Sequence, residues 1–269
     1  LAGVIPGAIL IPVLVGEFGL PGSAMANVAG VAVTAVCFLV ALAREHRGRW
    51  RPDWSVMRRQ LVMGRDLILR SLSFQVAFVS AAAVAARFGT SSLAAHQIML
   101  QLWNFITLVL DSLAIAAQAL TGAALGRGTV DVAKQVGQRV TVYSLIFAGA
   151  LGAVFAAGAG VIPRLFTGDA TVLGTIAGPW WLMIVMIVLG GVVFALDGVL
   201  LGAGDAAFLR TITIASVVLG FLPGVWIAYA VGGGLTGIWL GLLAFIVIRL
   251  IAVVWRFRSM AWAVVDTGR

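Results

Sequence analysis

Residues 92–128 read SLAAHQIMLQLWNFITLVLDSLAIAAQALTGAALGRG. From 93 to 125 the stretch holds a single formally charged residue, Asp111. About 20 apolar residues cross the hydrocarbon of a bilayer as a helix, whereas a barrel strand alternates over about 9–11. The run is therefore a membrane-crossing helix. Its polar residues are not scattered. Gln97, Gln101, Asn104, Asp111 and Gln118 recur at spacings of three, four and seven. At about 100° per residue they fall near one face, with His96 beside them. Lipid cannot solvate such a face, so it lines a wet cavity or contacts another helix.

Seven more apolar runs flank this one, at 1–15, 22–43, 67–88, 140–162, 179–201, 209–231 and 235–254. The composition agrees with them. Of 269 residues, 62% are hydrophobic and 10% charged, and the mean hydropathy is +1.10. A soluble domain carries about 25% charged residues, so too little charge remains here to coat a water-facing surface. One cysteine, Cys37, excludes a disulfide scaffold. In lipid every backbone polar group needs an internal partner, so the expected fold is an all-α polytopic bundle of about eight transmembrane helices.

The net charge of +8 is distributed by side. Arg44, Arg47, Arg49, Arg51, Arg58, Arg59 and Arg65 follow the second run; Arg127, Lys134 and Arg139 follow the fourth. Arg210 follows the sixth, and Arg256, Arg258 and Arg269 lie in the tail. The alternate loops hold Arg87 and Arg164 with Glu17 and Asp169. By the positive-inside rule the basic loops and the C-terminus face the cytoplasm. The charge thus follows membrane topology and does not point to nucleic acid.

Four divisions follow: 1–43 as two helices, 44–66 as a basic cytoplasmic linker, 67–258 as six helices, and 259–269 as a cytoplasmic tail. Within the linker, Trp54, Met57 and Leu61 have the spacing of a short interfacial helix. The two ends of the chain also resemble each other. Residues 16–24 read GEFGLPGSA and residues 231–239 read VGGGLTGIW, sharing Gly-Leu-x-Gly between two helices on the outer side. Proline precedes each, at Pro12 and Pro223. Parallel repeats of this kind occur in transporters. On that reading the last two helices repeat the first two. The chain, whose residue 1 is Leu inside an apolar run, then begins partway through a longer protein.

Acids inside spans are functional candidates. Asp111 lies in LVLDSLAIAAQAL and Asp197 in VVFALDGVLLGAGD. Each needs a cation partner or a proton, so both are candidates for proton or sodium coupling. Gln75, Gln97, Gln101, Asn104 and Gln118 are candidate cavity-lining polar residues. Arg70 is expected to snorkel to the surface or pair with an acid, and Arg249 to snorkel. Gly122/Gly126, Gly198/Gly202 and Gly237/Gly241 permit close helix approach. Pro179 and the Gly190–Gly191 pair are positions for a bend in the sixth helix. Signals of an enzyme, a metal site or a bound cofactor are missing: no HExxH, CxxC or phosphate loop occurs. The expected partners are small organic substrates and the lipid bilayer.

Residues 92–128 strongly resemble the MATE (multidrug and toxic compound extrusion) family, and most of all its DinF-like branch. There an Ala-Ala-His-Gln helix leads through a Leu-Asp-x-Leu/Phe-Ala segment to a Gly-rich cytoplasmic turn. Residues 194–211, FALDGVLLGAGDAAFLRT, resemble that branch's Asp-Gly-x-x-x-Gly-Ala element. The resemblance covers the whole chain, as the last eight of twelve helices; the first four are missing. It implies two six-helix lobes about a pseudo-two-fold axis in the bacterial plasma (inner) membrane. It also implies exchange of protons or sodium for organic, cationic compounds by alternating access. Asp197 aligns with a second-lobe acid implicated in cation coupling in some members, and Asp111 with the Leu-Asp position. The first-lobe helix that carries the proton-coupling acid of several DinF-like members has no counterpart here. The missing N-terminal helices are accordingly an expected partner. The alternatives are a non-transporting gene remnant and a lipid-linked precursor flippase of the same superfamily, which would want a more cationic cavity.

Overall fold

The computed structural model describes residues 4–45 and 54–263. Every regular element among them is helical, and seven helices are long and apolar enough to cross a membrane. The protein is a multi-pass membrane protein. Its chain divides into two compact units, Leu1–Met57 and Arg58–Arg269.

The first unit is a hairpin of α1 (Val4–Phe18) and α2 (Leu20–Glu45). The chain reverses at Gly19, whose φ of +62° favours glycine. Gly22 sits against the Leu14 carbonyl, where a Cβ would collide with backbone.

The second unit contains α3 (Trp54–Arg87, from Arg58 onward), α4 (Thr90–Gly126), α5 (Val130–Ala157) and α6 (Ala170–Gly202). They are followed by α7 (Ala206–Ser216), a π turn (Val217–Phe221), α8 (Leu222–Ala230) and α9 (Gly234–Arg258). Helix α6 is the hub, packed by α4, α5 and α9. Ala195 to Leu200 are six consecutive buried residues, more than a full turn, so no face of α6 is free there. Close approach to α4 is set by Gly198 and Gly202, which lie on the backbone of Ala114 and Gln118; a side chain at either would strike a carbonyl. By contrast, α3 joins the bundle through side chains. Ala77, Ala81, Val84 and Ala85 are buried, and Phe74 and Phe78 reach Phe245 and Phe221 edge-on at centroid distances of 5.6 and 6.2 Å. That stand-off leaves room for a cleft.

The sequence reading holds in outline and shifts in detail. Helix α3 starts at Trp54, so residues 54–66 are its first turns. No proline interrupts them, and helical hydrogen bonding continues through polar residues as readily as apolar ones. Residues 46–53 and 264–269, parts of the expected linker and tail, lie outside the described residues. Helix α5 begins ten residues earlier than its apolar run and ends at Ala157, where Gly158 caps it. Helix α6 begins at Ala170 because Asp169 caps it, Oδ1 accepting from the amides of Thr171 (2.7 Å) and Val172 (3.4 Å). The run at 209–231 is broken by the π turn. Pro223 lacks an N–H and cannot donate back, and the wider turn absorbs the missing bond. The second Gly-Leu-x-Gly does the same work as the first. Gly234 has φ +58°, and a Cβ on Gly237 would lie 2.6 Å from Cβ of Ala228.

Candidate functional site: an ion-paired cleft

Asp197 is 4% exposed, deep in the apolar helix α6. A lone carboxylate is costly there, and two guanidiniums neutralise it. Arg70 on α3 donates from Nη2 to Oδ2 at 2.6 Å, and Arg249 on α9 donates to the same oxygen. Arg249 is 2% exposed. Its expected snorkelling does not occur, because an acid lies within reach inside the bundle. The Arg249 guanidinium carbon also sits 5.5 Å from the ring centroids of both Phe74 and Phe245. These aromatic faces replace part of its lost hydration. Asp197 Oδ1 and Arg249 Nε are buried without a hydrogen-bond partner among the described residues.

Beside this triad opens a cleft of about 320 Å³ between α3, α4, α6 and α9. Its wall is built by helical spacing. Arg70, Phe74 and Phe78 form one stripe on α3; Asn104, Thr107 and Asp111 form another on α4; Leu242, Phe245 and Arg249 close it from α9. Asp197 lies behind that wall rather than on it. Asp111 is half-buried, feels the charges of Arg70, Asp197 and Arg249, and makes no ion pair among the described residues. Two acids that look alike in sequence thus stand apart: Asp197 is held twice and Asp111 is not held.

Of the predicted polar residues, the structure brings Asn104 and Asp111 to the cleft. Gln75, Gln97, Gln101 and Gln118 are exposed on the second unit, outside the cleft lining. Three further ion pairs escaped the sequence reading. Asp66 on α3 is 3% exposed and receives Arg210 at 2.6 Å and Arg65 at 2.9 Å, and Asp205 receives Arg256 at 2.7 Å. Asp66 follows a basic segment, which is its only local signal. Among the described residues no group of three metal-ligating side chains occurs.

Comparison with known proteins agrees with this architecture. Residues 67–226 match the family model described as MatE. The chain belongs to the MatE family. Among curated relatives, Protein DETOXIFICATION 44, chloroplastic, of Arabidopsis thaliana is 31% identical over 97% of this chain and 51% of its own length. A probable multidrug resistance protein NorM of Bradyrhizobium diazoefficiens is 30% identical over 80% of this chain and 48% of its own length. DNA damage-inducible protein F of Escherichia coli is 28% identical over 64% and 37%. The MatE chain spans about half the length of the curated relatives it matches. Solved structures share the fold. A MATE protein in complex with MaL6 superposes with a TM-score of 0.85 at 19% identity, covering 97% of this chain and 62% of that one. An outward-facing MATE multidrug resistance transporter gives 0.81 at 19%, covering 97% of this chain and 61% of that one.

Proposed function

We propose that this MatE chain supplies a six-helix lobe, and the two helices before it, to a secondary active transporter of organic compounds. It works by alternating access in a bacterial plasma membrane with the C-terminus cytoplasmic. A gradient of protons or sodium drives it. The observation that carries this reading is the contrast between the two intramembrane acids. An ion-coupling carboxylate has to release its ion on one side of the cycle, so it cannot be locked to fixed cations. Asp111 meets that condition on the cleft wall, and Asp197 acts as the counter-charge that keeps Arg70 and Arg249 in place. The resemblance implies exchange of the ion for an organic cation, and Asp111 supports the ion-binding half of that expectation. The fold and the family favour transport over an enzymatic role.

The test is gradient-driven movement of labelled organic compounds in proteoliposomes holding the full-length protein. Asp111→Asn is expected to remove the dependence on the imposed proton or sodium gradient while the protein stays folded. Unchanged gradient dependence in that variant would remove Asp111 from the coupling site.

A further inference from the structure

We propose that the ends of α3 and α8 carry a binding site for a glycerophospholipid of net negative charge. Arg87 takes the lipid phosphate, and Trp226 and Tyr229 frame it. None of these residues lines the ion-paired cleft.

Arg87 is the last residue of α3. Its guanidinium carbon lies 5.1 Å from the ring centroid of Tyr229 and 5.8 Å from that of Trp226, both on α8. Those two rings meet nearly at right angles with centroids 6.1 Å apart, and Phe88 backs Tyr229 edge-on at 6.2 Å. The cation is thus held at a fixed place on the surface. Aromatic faces attract a guanidinium without neutralising its charge. Arg87 makes no ion pair among the described residues. Its N–H donors form a planar fork that matches two oxygens of a phosphate. One fixed, unneutralised fork suits one anionic group.

The setting selects which anion. Helix α8 ends at Ala230, and α9 runs back from Gly234 to Arg258, so Arg87 lies at the end of the bundle opposite the C-terminus. Trp and Tyr rings gather at the headgroup level of a bilayer, and here Trp226 and Tyr229 are 47% and 41% exposed. Deeper along α3, Leu72, Val76, Val79 and Ala83 are exposed at spacings of four, three and four, an apolar stripe that leads up to Arg87. A ligand there meets an anion-binding fork at headgroup level and apolar surface beneath it. A phospholipid satisfies both; free phosphate satisfies only the first and a neutral lipid only the second. A zwitterionic headgroup fits less well, because Arg87 already covers the aromatic faces that would receive its ammonium. Since α3 joins the bundle through side chains, a lipid bridging Arg87 and α8 also steadies this end of α3.

Photo-crosslinking to the full-length protein in nanodiscs tests this. The probes are phosphatidylglycerol, phosphatidylcholine and diacylglycerol, each with the same diazirine on an acyl chain next to the ester, and the labelled peptide is mapped by mass spectrometry. Phosphatidylglycerol should label residues 226–231 at least about tenfold more than either other probe, as one charge-assisted contact allows. Arg87→Gln should reduce that labelling to the level of diacylglycerol. Arg87→Lys, which keeps the charge and loses the fork, should retain only part of it. Arg164→Gln removes another exposed arginine from the same end of the bundle and should leave it unchanged. The comparison of probes on the unaltered protein decides the matter even if an Arg87 variant fails to fold. Equal labelling by phosphatidylglycerol and either other lipid overturns the site, as does unchanged labelling in Arg87→Gln. Loss of labelling on adding inorganic phosphate would assign the fork to a free anion and also overturn it.

Discussion

Arg249 on α9 and Asp197 on α6, 52 residues apart along the chain, are mutual partners, each all but hidden from solvent. Arg70 reaches the same carboxylate oxygen from a third helix, so one acid fastens three helices. Removing different members of this triad should have unequal effects. Asp197→Asn leaves two guanidiniums facing each other without a counter-charge and is expected to cost about 3–5 kcal/mol. Arg70→Gln leaves Asp197 paired with Arg249 and should cost clearly less. Thermal unfolding in detergent reads the order; an Asp197→Asn protein as stable as Arg70→Gln would mean that the charges are not coupled as drawn.

Helix α4 and helix α6 meet at Gly198, against the backbone of Ala114. Backbone cannot rotate away as a side chain can. Gly198→Ala should therefore lower stability by about 1–3 kcal/mol, the usual cost of overpacking. Gly126 has open space where a Cβ would stand. Gly126→Ala should be neutral, or gain up to about 1 kcal/mol from helix propensity.

Gly19 and Gly234 hold φ values of +62° and +58°, each with open space where a Cβ would stand, at the turns of two separate hairpins. Alanine in a left-handed conformation costs about 1–2 kcal/mol. Gly19→Ala and Gly234→Ala should destabilise by similar amounts. A large effect at one and none at the other would argue against a shared turn. Chemical denaturation of each variant compares them.

Much of this fold was legible in the chain. Long apolar runs give the helices, and Gly-Leu-x-Gly gives two of the turns, because both are local signals. Asp111 and Asp197 stood out because acids inside apolar runs are rare. What stayed hidden was non-local. Arg249 lies near the end of its span, where snorkelling is the natural reading, and only the adjacency of α6 and α9 reveals its partner. For the same reason Asp66 and Arg210 did not pair on paper. The π turn at Val217–Phe221 was missed because Pro223 signals a disturbance without specifying its form. Gln97, Gln101 and Gln118 share a helical face with Asp111, but the cleft is shorter than that face and reaches only Asn104 and Asp111 among its predicted members.

Asp169 offers a pH test outside the membrane-spanning segments. Hydrogen bonds from the backbone amides of Thr171 and Val172 hold its carboxyl below the ordinary carboxylate range. The stability it lends α6 is thus present above the unfolded-state value, near pH 4, and is lost as the pH falls through the lowered folded-state value. Asp169→Asn keeps a capping side chain and should flatten that part of the profile. Melting temperatures followed from pH 6 down to about pH 3 compare the two; identical slopes would mean that the cap does not titrate with folding.

The most direct test of the account asks which intramembrane acid is free to take up a proton. Infrared difference spectra across a pH titration of the full-length protein read the carbonyl stretch of protonated carboxyl groups. The account predicts a titrating band that disappears in Asp111→Asn and persists in Asp197→Asn, provided both variants remain folded. A band that persists in Asp111→Asn and disappears in Asp197→Asn would contradict it.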